Sequence, residues 1–183
     1  MALIAVLPYQ MRLARAIIGI MQRKTNGTPA ILELERRQIR YQLREYEHDP
    51  RSTVGFGLEG VAKLGATADR VFKTLLADAD GRLVVGIVPV SGHLDLKALA
   101  AVVGAKKAVM ADPGVAEKAT GYVVGGISPI GQKRRLPTVL DASAMEQETI
   151  MVSGGRRGLD IELAPGDLVA VTDARVAPIA KAS

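Results

Sequence analysis

"VFKTLLADADGRLVVGIVPV", residues 71–90, is the stretch that decides the fold. Two apolar runs flank Asp80-Gly81, a dipeptide that tolerates the positive φ angles of a two-residue hairpin turn, so the pattern predicts an antiparallel hairpin. Lys73 lies inside the first run, and the two-residue period of a strand places it on the face of Val71. Two interpretations stay open for this lysine. It is an edge-strand cation that opposes aggregation, or a cation in a half-apolar pocket aimed at a carbonyl or phosphate.

Helix and strand signals continue on both sides of this hairpin. Thr28 and Pro29 read as an N-cap and a first helical residue, and Gly65 and Gly104 follow segments that they would end. The sequence predicts helices over 29–38, 58–64, 95–103 and 113–118 and from Pro165, and strands over 39–43, 138–141, 149–152 and 159–163. Helices and strands mix without regular βαβ units. This mixture predicts a single α+β domain with a mixed, mostly antiparallel sheet.

The composition excludes several kinds of site. The chain has 183 residues, of which 48% are hydrophobic and 23% charged, so it can bury a core as one domain. It has no cysteine and only two histidines, His48 and His93, each more typical of a structural or surface residue than of a base. These counts exclude a thiolate metal site, a cysteine nucleophile and a His-rich metal centre, and they favour a reducing cytoplasm.

The net charge of +5 is concentrated at the N-terminus. Residues 1–26 carry four cations and no acidic residue, while the remainder has 20 cations against 19 anions, so a general nucleic-acid surface is not expected. We treat residues 1–26 as an extension and residues 27–183 as the globular domain, which has no membrane role. Two interpretations stay open for the extension. It is an amphipathic helix that begins after Pro8 and binds a membrane surface or a partner, or it is an upstream addition and Met21 is the native start.

Three glycine-rich segments raise ligand-binding hypotheses. "GFGLEG", residues 55–60, has the letters of a dinucleotide fingerprint, but no strand signal runs into it, so a loop leading to a short helix is favoured. "GGISPIGQK", residues 125–133, lacks a lysine directly after its last glycine, which excludes a P-loop; its glycines still allow backbone N–H groups to approach a ligand. "VSGGRRGLDIEL", residues 152–163, is typical of a β-hairpin with glycines in its turn.

Six blocks occur in order along the chain: "TPAILELE", "YEHDP", "VFKTLLA", "GHLDLKALAAVVGAKKAVMADP", "TGYVVGGISPIGQKRRLPT" and "SGGRRGLDIEL". Over residues 28–180 they resemble the YbaK-type Cys-tRNA(Pro) deacylases, relatives of the editing domain inserted in bacterial prolyl-tRNA synthetases. The resemblance implies a sheet curled into a barrel-like core with flanking helices. It also implies a cytoplasmic enzyme that needs no cofactor or metal ion and removes cysteine from mischarged proline tRNA. Because the domain is nearly neutral, we expect a partner, prolyl-tRNA synthetase, to supply the selectivity for the tRNA.

The family's motifs fall on seven residues of this chain: Tyr46, Phe56, Lys73, Thr74, Gly125, Ser153 and Asp160. We expect Lys73 to anchor the 3′-terminal nucleotide or the aminoacyl group. The N–H groups of Gly125 and Gly126 would stabilise the carbonyl oxyanion. Tyr46, Ser153 and Asp160 would hold the α-amine and the ribose hydroxyls. Phe56 and Thr74 would shape the side-chain pocket.

The nucleophile and the amino acid have alternatives. The resemblance implies attack by the substrate's own thiol, with release of a cyclic thiolactone, and the competing mechanism uses a water molecule. Within the same superfamily, the alternative activity is deacylation of Ala-tRNA(Pro) by water. From a different class of function, the alternative is a tRNA- or nucleotide-binding module without turnover.

Overall fold

The computed structural model describes residues 27–49, 51 and 55–182. The two interpretations of residues 1–26 lie outside this part of the chain. Within it, no helix is both long enough and apolar enough to cross a bilayer.

The described part of the chain forms five α-helices, and three of them begin at a side-chain N-cap. They are α1 (Pro29–Arg36), α2 (Phe56–Leu64), α3 (Leu96–Val103), α4 (Pro113–Thr120) and α5 (Pro165–Thr172), with one 3-10 helix, Ala142–Glu146. The Thr28 hydroxyl accepts the Ile31 N–H at the start of α1, and Asp95 does the same for two N–H groups of α3. Gly65 and Gly104 adopt left-handed conformations at the ends of α2 and α3. The predicted helices are confirmed, although α1 ends at Arg36 rather than at residue 38.

Ten strands complete the domain. They are β1 (Gln42–Glu45), β2 (Val71–Ala79), β3 (Arg82–Pro89), β4 (Gly92–Leu94), β5 (Ala108–Met110), β6 (Thr138–Asp141), β7 (Ile150–Arg156), β8 (Leu159–Leu163), β9 (Arg175–Ala177) and β10 (Ala180–Ala182). The predicted hairpin is β2–β3, and its turn residues Asp80 and Gly81 have φ angles of 51° and 83°. The hairpin predicted over residues 152–163 is β7–β8, with a bulge between Ser153 and Arg156.

The main sheet is mixed and open. Its strand order is β1-β8-β7-β2-β3-β6-β9, with β5 paired to β2 beside this path, while β4 and β10 form a separate two-stranded sheet. Three pairs are parallel, β2–β7, β3–β6 and β6–β9, and the others are antiparallel. The α+β class and the mostly antiparallel sheet are confirmed. The barrel-like core is not, because β1 and β9 end the strand path without pairing with each other.

Four strands have no counterpart in the sequence-based prediction: β4, β5, β9 and β10. Each has three residues, which is too short for a two-residue period to be recognised. The strand predicted from residue 39 begins at Gln42 instead.

The alternating side chains of β2 separate two apolar layers. Phe72 and Leu76 belong to the larger core cluster, with Val152 and Ile161 on neighbouring strands. Val71 belongs to a small cluster on the other face, packed by residues of α2. Further along that face, Ala77 and Ala79 pack into a third cluster that includes Leu99 of α3. Lys73 therefore lies on the second face, between the apolar clusters under α2 and α3.

Candidate functional site

Two neighbouring parallel strands part at the predicted site. The pairing of β2 with β7 covers only Val71↔Met151 and Phe72↔Val152. Lys73 and Thr74 come directly after Phe72, and Ser153 directly after Val152. Since ligands of open sheets bind in crevices beyond the carboxyl ends of parallel strands, this parting point is where a ligand site is expected from topology alone.

A polar row crosses the sheet at the parting point. Ser153 is the register partner of Asp160 on β8. Because Phe72, Val152 and Ile161 all face the larger core, the residues that alternate with them face the opposite side. Lys73, Ser153 and Asp160 therefore share one face of the sheet. Lys73 lies two strand spacings from Asp160, a separation of about 10 Å between the backbones.

Lys73 supplies a partly buried cation without a counterion. Its Nζ donates to the carbonyl oxygen of Gly92 at 2.6 Å, and the side chain forms no ion pair within the described residues. Burial lowers the pKa of Lys73, because desolvation disfavours its charged form. The ammonium retains further N–H donors beyond the one bound by Gly92. This geometry favours the pocket interpretation over the edge-strand one, because the Lys73 ammonium is partly buried and bound to the Gly92 carbonyl rather than extended into solvent.

Asp160 supplies a buried carboxyl beside the Tyr46 hydroxyl. Asp160 is 8% exposed, and its carboxyl has no hydrogen-bond or ion-pair partner among the residues that the structure describes. A Cβ placed on Gly60 of α2 would lie 3.3 Å from both Asp160 Oδ2 and Tyr46 Oη, so the two oxygens meet at this glycine. Burial raises the pKa of Asp160 to about 7. Burial, then the charges of Asp160 and Glu59, raise the pKa of Tyr46 to about 12.

Helix α2 carries Phe56 and Gly60 on one face, since four residues separate them. Gly60 faces Tyr46 and Asp160, and Phe56 packs against Gly125, where an added Cβ would be 2.7 Å from the ring. Gly125 has a φ angle of 87°, which a residue with a side chain rarely adopts. The same helix thus brings the predicted aromatic residue to the predicted glycine pair.

The two glycines of the pair have different roles. We name residues 121–137, which connect α4 to β6, the glycine loop. The Gly126 N–H donates to the Val123 carbonyl at 2.9 Å, which closes a turn. It is therefore not free to bind an oxyanion, and the expectation for this donor is corrected. The Gly125 N–H has no acceptor in the described part of the chain and remains available. Gly126 instead allows close packing, because an added Cβ would be 2.9 Å from the backbone of Arg156.

Thr74 lies on the other face from the polar row. It alternates with Lys73 and shares the side of Phe72, so it does not join Ser153 and Asp160. Its Oγ1 is fully buried and lacks a hydrogen-bond partner in the described part of the chain. Any contribution of Thr74 to a pocket would therefore come from the face of the sheet opposite the polar row.

Arg157 is a site residue that the sequence reasoning missed. Its Nε and Nη2 donate to the Val124 carbonyl at 3.1 and 2.9 Å, and its guanidinium lies 4.9 Å from the centroid of the Phe56 ring. One side chain thus joins the β7–β8 turn, the glycine loop and α2. The sequence holds a pair of adjacent arginines there, and nothing in the pattern distinguishes Arg157 from Arg156, which pairs with the exposed Glu45.

His48 has a structural position, as its context predicted. Its Nδ1 is 2.8 Å from Oε2 of the buried Glu59, and its ring centroid is 5.3 Å from that of Phe56. The other Glu59 oxygen accepts the Asp49 N–H, and this bond is the largest cause of the lowered pKa of Glu59. His93 is exposed on β4. No three His, Cys, Asp or Glu side chains of the described ranges gather as ligands for a metal ion.

The fold is a small α+β domain, and at its parting point a lysine and a buried carboxyl face the same side of the sheet. A family model for the aminoacyl-tRNA editing domain matches residues 58–171. A protein of Enterococcus faecalis named for Cys-tRNA(Pro)/Cys-tRNA(Cys) deacylase activity, EbsC, is 39% identical over 160 residues, which cover 86% of this chain and 94% of that protein. The chain therefore belongs to the aminoacyl-tRNA editing domain family.

Two further kinds of relative agree with this assignment. A proline–tRNA ligase of Moorella thermoacetica is 38% identical over 68 residues, which are 37% of this chain and 12% of the ligase. A crystal structure described as a trans-editing enzyme for prolyl tRNA synthetase has a TM-score of 0.73 at 24% identity and covers 84% of this chain and 95% of its own. Another, of a hypothetical protein, has a TM-score of 0.75 at 22% identity. These two structures support the fold.

Proposed function

We propose that the protein is an aminoacyl-tRNA deacylase that removes cysteine from mischarged Cys-tRNA(Pro), acting in trans. The observation that carries this proposal is the polar row. In it, Lys73 has no counterion and the buried Asp160 has no partner among the described residues, and their backbones lie about 10 Å apart on one face of the sheet. An aminoacyl-tRNA end carries a cationic α-amine on the amino acid and anionic phosphates on the nucleotides. The row presents a carboxyl for the first group and an ammonium for the second.

Asp160 and Tyr46 hold the α-amine. A carboxyl without a partner in an apolar site is costly when charged, and a bound ammonium offsets that cost. The α-amine therefore binds Asp160 in its ionised form, and the Tyr46 hydroxyl beside it accepts or donates a second hydrogen bond. Ser153, next to Asp160 across the β7–β8 ladder, is placed to bind a ribose hydroxyl.

Lys73 and Gly125 act on the ester carbonyl and the 3′-terminal nucleotide. Lys73 binds the 3′-terminal nucleotide or the ester carbonyl with the N–H donors that Gly92 leaves free. The Gly125 N–H is the donor that remains for the oxyanion, and the Phe56 ring packed against Gly125 forms a wall of the side-chain pocket. Loss of one oxyanion donor typically costs about 3 kcal/mol of transition-state stabilisation.

The chemical step that we propose is attack by the substrate's thiolate on its own carbonyl carbon. A carbon–sulfur bond forms, the carbon–oxygen ester bond breaks, and the ribose oxygen leaves with the proton that the thiol released. The thiol, with a pKa of about 8.5, is a few per cent ionised at neutral pH, and its attack is intramolecular. The reaction would then be an intramolecular acyl transfer from oxygen to sulfur that closes a ring, rather than a hydrolysis.

This mechanism also explains how cysteine is told from alanine. A pocket that admits cysteine cannot reject the smaller alanine by size, because one missing group changes binding by only about 1–3 kcal/mol. Alanine and serine lack the thiol, so a substrate-assisted step discriminates by reactivity instead of by fit. Deacylation of Ala-tRNA(Pro) by water is the second candidate, and it would require an ordered water near Gly125.

We further propose prolyl-tRNA synthetase as the partner that selects the tRNA, because the chain beyond residue 26 carries 20 cations against 19 anions and offers little net attraction for phosphates. A substrate of translation places the protein in the cytoplasm, which the absence of cysteine also favours.

A deacylation panel with Cys-, Ala-, Ser- and Pro-tRNA(Pro) tests the function. We expect rapid loss of cysteine only, and loss of this activity in Lys73→Ala with an unchanged unfolding transition. Lys97→Ala is the matched control, since it removes an exposed lysine from α3. Full activity of Lys73→Ala would contradict the anchoring role, and absence of deacylation with all four substrates would contradict the proposed function.

A further inference from the structure

We propose that a groove outside the polar row binds the phosphate backbone of the substrate's acceptor strand. This inference rests on the proposed function. The groove lies between α1, the second half of the glycine loop and the end of α5, and its volume is about 470 Å³. We call it the basic groove, and its lining includes Pro29, Arg36, Arg37, Gly131, Arg134 and Arg135.

Cations dominate the lining of the basic groove. It holds four arginines against one carboxylate, Glu33. Glu33 is already bound by Arg36 at 2.7 Å and by Arg37 at 2.6 Å, and its hydrogen bond from Arg36 is the largest cause that lowers its pKa to about 2. The carboxylate thus aligns two guanidinium groups and leaves their remaining N–H donors for another anion.

The other two arginines belong to the exposed segment "KRR", residues 133–135. Arg134 forms no ion pair within the described residues, and Arg135 has a 3.4 Å contact with the exposed Asp173, a pair that contributes little in solvent. The rest of the globular chain is nearly neutral, so these cations form a local feature. A local cluster of arginines in a groove is suited to phosphate groups along a strand.

The backbone holds this segment in place. The Lys133 N–H donates to the Thr120 carbonyl at 2.8 Å, and the Arg134 N–H donates to the Ala119 carbonyl at 3.1 Å, both at the end of α4. Gly131 has a φ angle of 67° and lies so close to α1 that an added Cβ would be 2.5 Å from the Pro29 carbonyl oxygen. The cations are therefore presented from a fixed loop rather than from a free one.

The same loop connects the basic groove to the site of chemistry. Gly126 packs at the site, Gly131 lines the groove, and the five Cα-to-Cα steps between them span at most about 18 Å. Stacked nucleotides rise about 3.4 Å each along a strand, so the groove lies within about five nucleotides of the esterified end. The groove lies on the side of the sheet where α1 and α5 pack on the larger core, so an acceptor strand that starts at the polar row reaches the groove by passing the glycine loop. This reach and the charge of the groove are our reasons for proposing the substrate's own RNA as the occupant.

The test compares two double variants on two substrates. Arg134→Ala with Arg135→Ala removes two groove cations, and Lys106→Ala with Lys107→Ala removes the same charge beside the β2–β3 turn, where only the backbone N–H groups of these lysines bind Asp80. The substrates are full-length Cys-tRNA(Pro) and cysteinyl-adenosine, which has no acceptor strand. For each pair we measure kcat and KM over a range of salt concentrations.

For the groove variant, we expect KM for Cys-tRNA(Pro) to rise about tenfold with kcat unchanged, and the slope of log(kcat/KM) against log[salt] to weaken by about 1.4–1.8. Activity on cysteinyl-adenosine should match that of the wild type, and the lysine variant should match it on both substrates. Equal KM and equal slope in the two double variants would overturn the proposal. An equal loss on cysteinyl-adenosine would also overturn it, because it would give the arginines a structural role. If only the stimulation by prolyl-tRNA synthetase were lost, the groove would be a protein-docking surface instead.

Failure of the proposed function gives a different result. The wild type would then be inactive on both Cys-tRNA(Pro) and cysteinyl-adenosine. The proposal for the groove concerns only how the activities on these two substrates differ. Binding of uncharged tRNA(Pro) by fluorescence anisotropy measures the groove independently of turnover, and the arginine variant should bind more weakly than the lysine variant.

Discussion

Replacement of Arg157 should slow the chemical step although this side chain need not touch the substrate. The guanidinium holds the glycine loop through the Val124 carbonyl and holds the Phe56 ring at 4.9 Å. An exposed charge-assisted hydrogen bond is worth about 1–1.5 kcal/mol and an exposed cation–π contact about 0.5–1 kcal/mol. Arg157→Ala therefore removes about 2 kcal/mol that favours the aligned loop. If the misaligned loop is inactive, the rate constant of the chemical step falls roughly 30-fold.

The adjacent arginine provides the control for this experiment. Arg156 pairs with Glu45, and both side chains are more than half exposed, so Arg156→Ala should leave kcat unchanged and cost less than about 1 kcal/mol of stability. Arg157→Lys keeps one donor and should recover part of the lost rate. The assay is single-turnover deacylation at saturating enzyme, with urea unfolding of each variant. Equal rates for Arg157→Ala and Arg156→Ala would refute the positioning role.

Three further predictions concern stability. Burial raises the pKa of Asp160 to about 7, so between pH 4 and 7 the folded protein keeps a proton that the unfolded chain has released. The contribution of Asp160 to the free energy of unfolding is therefore fully present below pH 4 and is lost as the pH rises to 7. Asp160→Asn should therefore gain stability over the wild type from pH 4 to 7, up to about 4 kcal/mol, and a pH-independent difference in urea unfolding would contradict this. Thr74→Val should stabilise by about 1 kcal/mol, since it removes an unpaired buried hydroxyl; a loss in the same assay would mean that the hydroxyl has a partner. Gly131→Ala should cost more than about 2 kcal/mol, whereas Gly166→Ala, with no atom within 4 Å of the new Cβ, should not destabilise, and similar thermal midpoints would disprove the packing argument.

The elements that sequence alone predicted are those with a local physical cause. Asp80-Gly81 specifies its turn through backbone conformation, and Thr28 and Asp95 specify helix starts through hydrogen bonds to nearby N–H groups. The three-residue strands β4, β5, β9 and β10 have no such cause, because distant partners stabilise them. The expected barrel-like curl of the sheet is not confirmed for the same reason, because the path of the sheet depends on pairing between strands that are distant in the chain.

The same distinction between local causes and distant partners applies to the residues of the site. The resemblance named Lys73, Ser153 and Asp160, but their common face follows only from the registers of three strands. The sequence could not show that the Gly126 N–H is bound within a turn, nor that Thr74 faces away from the polar row. Arg157 was invisible because its partners, Val124 and Phe56, are distant in the chain.

The product of a single turnover distinguishes attack by the substrate's thiol from attack by water. Reactions with wild-type protein in excess over Cys-tRNA(Pro) or Ser-tRNA(Pro) would be quenched within the first half-life, and the released amino-acid species identified by mass. We expect fast release of the cyclic thiolactone from Cys-tRNA(Pro) and release from Ser-tRNA(Pro) that is slower by about a hundredfold or more, because serine lacks the intramolecular thiol nucleophile. Free cysteine as the first product, with serine released at a similar rate, would contradict attack by the thiol.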